Sequence, residues 1–139
     1  MAARKSWSAK LAAQREPEVK VLTKPFAGLT PGTHMLVSSP QEIDTWIRGI
    51  PPGETRSIDE LKQELSTRHG ADTACPASTM IFLRIAAEAA WEALEVGASP
   101  DEVTPFWRII EPGSTVASRL SCDMEFIRIQ RARERGLRT

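Results

Sequence analysis

One segment limits the fold more than any other. Between Pro76 and Val96, the residues Met80, Ile81, Phe82, Leu83, Ile85, Ala86, Ala89, Ala90, Trp91 and Leu94 leave a single polar stripe of Arg84, Glu88, Glu92 and Glu95. Read at 3.6 residues per turn, this is a helix apolar on most of its circumference, and such a helix has to be covered by the rest of the chain. Gly97 stops it, and Pro76 suits its first turn. It is therefore predicted as the central helix of one domain. Arg84 and Glu88 interrupt the apolar run, which excludes a membrane span.

Two further helices announce their own starts. Ser39-Pro-Gln-Glu42 places an N-cap, a proline at the first helical position and a glutamate three residues past the cap. That helix runs towards Gly49 with Ile43, Trp46, Ile47 and Ile50 inward, until Pro51-Pro52-Gly53 breaks it. Ser57-Ile-Asp-Glu60 is a second capping box, opening a helix that ends at Gly70 with Ile58, Leu61 and Leu65 inward. Residues 6–14 favour a short helix, and residues 16–33, with three prolines and two glycines, an extended arm rather than a packed element. His34–Val37 is a possible short strand. Phe106–Ile110 reads as a strand and Glu111–Ser114 as a turn. A last helix covers about Cys122 to Arg135. Two helices joined by a short turn, then a strand and a turn, is the order of a winged helix-turn-helix. The expected fold is thus mainly α with a small β component. Residues 1–38 form a basic helix and arm, 39–136 the winged-helix domain, and 137–139 a tail.

At 139 residues the chain has room for one such core. Its eighteen basic and eighteen acidic residues cancel, but unevenly. Residues 1–39 carry +4, residues 40–118 carry −7 and residues 119–139 carry +3, so basic ends flank an acidic middle. Cys75 and Cys122 are too few for a disulfide framework. Together with His34 and His69 they lack the paired spacing of a zinc site, so no metal or cofactor is expected. The first residues lack the apolar core of a signal peptide, which makes a cytoplasmic location the default expectation; a monomer is expected as well.

The segment Ile50-Pro-Pro-Gly-Glu-Thr-Arg-Ser57, the helix pair after it and Thr104-Pro-Phe-Trp-Arg-Ile-Ile110 together resemble the DNA-binding domain of O6-alkylguanine-DNA alkyltransferases, over roughly residues 40–136. In that family a Pro-x-Gly-x-Val-x-Thr-Tyr segment opens the first helix of the winged helix. Pro-Cys-His-Arg-Val carries the acceptor cysteine, and a closing helix ends in Glu-Gly. Pro105 and Arg108 match the second motif, and Gly136 the third.

The departures bear on function. The resemblance implies a thiolate activated by a histidine that a glutamate orients. Phe106 stands at the Cys position, Trp107 at the His position and Arg135 at the Glu position, so the implied chemistry has no reacting groups. Ile58 replaces the base-rotating tyrosine and Asp123-Met124 a Gly-Gly pair. No arginine lies in the first turns after Pro76, the nearest being Arg84. Alkyltransferase-like proteins, a non-catalytic branch, replace the acceptor cysteine, usually by Trp, and bind damaged DNA without repairing it. The chain is similar to them in losing the cysteine and differs in losing the histidine.

Each site residue has a bland reading beside the functional one. Ile58, Pro105, Phe106 and Trp107 would wall a pocket for a flipped base, or plug the vacated pocket as core; the missing polar groups favour the plug. Ser78 and Thr79 in the Pro76 helix, with Arg84, would enter a groove while Arg56 and Ser57 hold phosphate. Glu88, Glu92 and Glu95 oppose this unless they point away from DNA. Arg108, the sixth residue expected on nucleic acid, would support the pocket wall or form a structural ion pair. Arg128, Arg131, Arg135 and Arg138 recur at helical spacing as a basic stripe; with Arg4, Lys5 and Lys10 they would bind phosphate or an acidic partner, or be a solvated face. Cys75, with His69 six residues upstream, is the best remaining nucleophile, although a small buried cysteine is the plainer reading. The leading expectation is a non-catalytic protein that binds duplex or damaged DNA, with RNA as a further nucleic-acid partner. The alternative is a winged helix repurposed to dock a protein or ribonucleoprotein, with the basic Pro-rich arm ordering on that partner.

Overall fold

The computed structural model describes residues 6–13 and 15–136, so Arg4, Lys5, Arg138 and the 137–139 tail lie outside the described residues. Helix makes up 53% of the described residues, beside a small mixed sheet of three strands. Helix α1 (Trp7–Ala12) starts on Ser6, whose hydroxyl accepts the Ala9 N–H. Strands β1 (Glu18–Val21) and β2 (His34–Val37) pair antiparallel, with Glu18 opposite Val37. On its other side β2 pairs in parallel with the two-residue β3 (Thr73–Ala74). The main helices are α2 (Pro40–Arg48), α3 (Ile58–Arg68), α4 (Pro76–Glu95), α5 (Thr115–Arg119) and α6 (Met124–Arg135).

The helix starts form where the sequence places them. Ser39 accepts the Glu42 N–H and Ser57 the Glu60 N–H, both at 3.0 Å, which satisfies donors that a helix leaves open at its first turn. The capping box at Ser39 is only half used. The Glu42 carboxylate receives the Ser38 hydroxyl at 2.5 Å and lies 2.6 Å from His69 Nε2 at the end of α3. A local signal in the sequence is thereby spent on joining α2 to α3.

Around α4 the core gathers Leu36 from β2, Ile43 and Ile47 from α2, Leu61 and Leu65 from α3, and Ile127 from α6. The strand His34–Val37, although it falls in the basic N-terminal segment, belongs to this same core: Met35, Leu36 and Val37 are all buried. Residues 16–33 differ from a bare arm because β1 is hydrogen-bonded to β2. All four β1 residues are nevertheless exposed, as expected for an edge strand with little apolar area to bury.

Four expectations need correcting. Phe106–Arg108 is a 3-10 turn, not a strand. Alternation along a strand would send Phe106 and Trp107 to opposite faces, whereas both are fully buried, and the turn allows that. A short helix, α5, follows the turn at 111–114, capped by Ser114, and the last helix begins at Met124 on Asp123. The third is the polar stripe of α4, whose Glu88 and Glu92, expected to oppose a phosphate, are occupied within the fold. Glu88 is 1% exposed and accepts both the N–H and the hydroxyl of Ser121, each at 2.9 Å. Glu92 accepts the Trp7 N–H at 3.0 Å, the Ser8 N–H at 3.1 Å and the Ser8 hydroxyl at 2.9 Å, which ties α1 across α4. Only Glu95 at the far end stays exposed. The fourth is Thr79, which faces the core rather than a groove.

The Trp7 amide first, then Ser8, hold the Glu92 carboxyl below the usual carboxylate range. A carboxyl shifted down stabilises the structure above its unfolded value, and this is lost as pH falls through the lowered folded value. Acid below the ordinary glutamate range should therefore release α1 before the core melts. Amide exchange at Trp7 and Ser8 will read this, and Glu92→Gln should expose the same amides at neutral pH.

Candidate nucleic-acid interface

The six residues expected on nucleic acid separate into two places. Arg84 reaches an open surface, and there it is oriented by its neighbours. Its guanidinium stacks over the Trp7 ring at 5.2 Å, and Nη2 lies 3.8 Å from the buried Glu88 carboxylate. Alongside it runs a groove of about 480 Å³ between the N-terminal half of α4 and α5, lined by Ala77, Met80, Ile81, Arg84, Val116 and Arg119. Ile81 is 57% exposed, a large apolar residue open to solvent on the face where a recognition helix would present its contacts. No carboxylate lines the groove.

Ser78 and Thr79 contribute little there. Thr79 is 3% exposed, and the Ser78 hydroxyl is buried without a hydrogen-bond partner. Ser57 is spent as the cap of α3. Arg56 pairs with Glu54 at 2.9 Å, and its N–H donates to the Arg108 carbonyl, which places it beside Arg108 and not in the α4 groove.

Arg108 is structural. Its Nε and Nη2 grip the Glu134 carboxylate at 2.7–3.2 Å, and Nη1 donates to the Ile50 carbonyl at 2.7 Å. This clamp joins the 3-10 turn to α6 and to the end of the second helical segment, and it leaves no guanidinium face for a ligand. Glu134 is not legible in the sequence as a site residue, because nothing local distinguishes it from the surface charges beside it on α6. The available signal was the inward period Ile127, Gln130, Glu134, all buried. Burial pushes the Glu134 carboxyl up, but Arg108 foremost, then the Trp107 indole and the Gly53 N–H, bring it below its ordinary value. The indole N–H, itself buried, approaches that carboxylate without closing a hydrogen bond of normal geometry.

The four residues expected around a base pocket make a plug. Phe106 and Trp107 are 0% and 1% exposed, Pro105 is buried and Ile58 packs partly buried against the core. Phe106, Trp107 and Phe126 pack ring against ring at 5.5–5.9 Å, and Trp91 closes on Phe126 at 5.2 Å. Each buried aromatic of this kind stabilises by roughly 1.5–3 kcal/mol, and their mutual geometry adds about 0.5–1.5 kcal/mol per pair. The basic stripe divides as well. Arg128 and Arg135 are exposed, whereas Arg131 is half-buried with Nε on the Trp107 carbonyl.

Neither cysteine is placed for nucleophilic chemistry. Cys75 is buried and caps α4, its Sγ accepting the Ser78 N–H at 3.5 Å, while His69 is engaged by Glu42. Burial, with the Glu88 carboxylate adding to it, pushes the Cys122 thiol up to about 11. Among the described residues no three His, Cys, Asp or Glu side chains gather as metal ligands, and no helix is long and apolar enough to cross a membrane.

Two outcomes follow. Arg108→Gln leaves Glu134 buried without its fork and should cost on the order of 2–3 kcal/mol in urea denaturation. Neither thiol of the native protein should react with a disulfide reagent at pH 8, and both should react once the chain is unfolded. Because the folded Cys122 value is raised, the stability it confers is complete below the ordinary thiol pKa and is lost as pH climbs through about 11. Comparison of the chain with family models, with curated proteins and with solved structures gives no match.

Proposed function

We propose that the chain is a non-catalytic, alkyltransferase-like nucleic-acid-binding protein that engages duplex DNA through the N-terminal half of α4. One observation carries the reading. The groove beside α4 presents an exposed Ile81 between two arginines, Arg84 and Arg119, with no acidic residue along it. The electrostatic objection raised by the sequence weakens at the same time. Glu88 is buried against Ser121, and Glu92 is occupied by the amides of α1, so neither carboxylate is offered to a phosphate.

The succession of α3 and α4, with only β3 and its flanking turn between them, supports a helix-turn-helix reading, with α4 as the inserting helix. The β structure in this arrangement lies ahead of the helix pair, in β1 and β2, instead of behind it as a wing at 106–110. Non-catalytic action is supported by the aromatic plug at Phe106 and Trp107 and by the burial of both thiols. The exposed outer edge of β1 favours a second reading, the docking module, in which a protein strand adds to the sheet.

The deciding measurement is fluorescence anisotropy with plain and O6-alkylguanine duplexes at two salt concentrations. Binding should weaken as salt rises. Arg119→Glu and Ile81→Glu should each weaken it further, and Arg119→Gln should lower the salt slope by about one phosphate contact. No binding of either duplex at low salt removes the proposal and leaves the docking reading.

A further inference from the structure

We infer that Arg131 and Arg135 on α6 form an anion site that takes a phosphate group. The two arginines line two depressions in common, one of about 420 Å³ against Pro112 and one of about 250 Å³ against residues 53–55. Every carboxylate lining either depression already has a different arginine. Glu125 lies 3.5 Å from Arg128, Glu54 lies 2.9 Å from Arg56, and Glu134 is gripped by Arg108. Among the described residues, Arg131 and Arg135 make no ion pair.

Arg131 is also fixed in place with a donor to spare. Its Nε donates to the Trp107 carbonyl at 2.6 Å, while Nη2 is shielded from solvent and has no acceptor. Burial holds this guanidinium below the ordinary arginine value; Glu111 opposes that in part, and Arg135 adds to it. Two like charges one helical turn apart repel, and an anion bound between them relieves that repulsion. A planar carboxylate matches a single guanidinium fork. A tetrahedral phosphate has oxygens for two guanidinium groups carried on adjacent turns, which is why the phosphate group is the ligand assigned. The site stands on α6 and does not rest on the α4 groove.

The test is a calorimetric titration of the full chain with inorganic phosphate, chloride balancing the ionic strength. Saturable binding of one phosphate is expected. Arg135→Gln, which removes no side-chain hydrogen bond seen among the described residues, should weaken it at least about tenfold. Arg131→Lys, which keeps the charge but loses the fork, should weaken it too, while Arg119→Gln should leave it unchanged. Absence of saturable binding, or equal affinity in Arg135→Gln, overturns the inference. Labelled duplex then identifies the source of the phosphate. If Arg135→Gln also weakens the duplex, the ligand is a nucleic-acid backbone; if phosphate binds while the duplex is indifferent to Arg135, it is free phosphate or a small phosphate ester. Loss of all duplex binding with phosphate binding intact would sink the α4 reading and leave this one standing.

Discussion

A helix apolar around most of its girth cannot be left at a surface, and the covering of α4 organises the rest of this protein. Helices α2 and α3, strand β2 and the aromatic turn at Phe106–Arg108 close over its apolar faces. What remains is the polar stripe, and the chain uses that too. Glu88 takes the backbone and hydroxyl of Ser121, and Glu92 takes the first amides of α1. Carboxylates that would face solvent on an ordinary amphipathic helix serve here as anchor points for two segments with little apolar area of their own. The cost of drying Glu88 is offset by hydrogen bonds and by the approach of Arg84.

That arrangement also shapes the surface. Once its acidic residues are turned inward or occupied, α4 shows solvent an apolar and cationic face at its N-terminal half. Beneath the opposite end of the fold, the Arg108–Glu134 clamp settles where the second motif of the sequence resemblance lies in space: against α6, behind a wall of Phe106, Trp107 and Phe126. A cavity that would need polar groups to orient a base is filled by rings that offer none. Arg131 and Arg135 on α6 are then among the charges that no carboxylate of the described residues pairs with.

Much of the helical framework could be read from residue types. Ser39, Ser57, Pro76 and Gly97 set starts and stops within a residue or two, because caps and breakers act through hydrogen bonds and backbone angles that close within one turn. The strand at His34–Val37 was visible as a short apolar run. By contrast, the pairing of β1 was hidden, since an edge strand exposed on all four residues carries no alternation. The turn at Phe106 differs from the expected strand because a continuous apolar run fits a buried strand and a tight turn equally well. The roles of Glu134 and Glu88 escaped for one shared reason: a carboxylate on a helix looks the same in sequence whether its partner is water or an arginine twenty-six residues away.

By itself, then, the order of residues determined that the chain would be mainly helical, that one helix would be surrounded, and that Phe106 and Trp107 bring no reacting group to the positions they occupy. Those are matters of local hydrogen bonding, period and side-chain chemistry. Tertiary structure alone decided which charges are consumed and which remain available. Whether Glu92 repels a phosphate or holds α1, and whether Arg108 or Arg135 is available to a ligand, depends on neighbours distant along the chain, and only the packed fold brings those neighbours within hydrogen-bond reach.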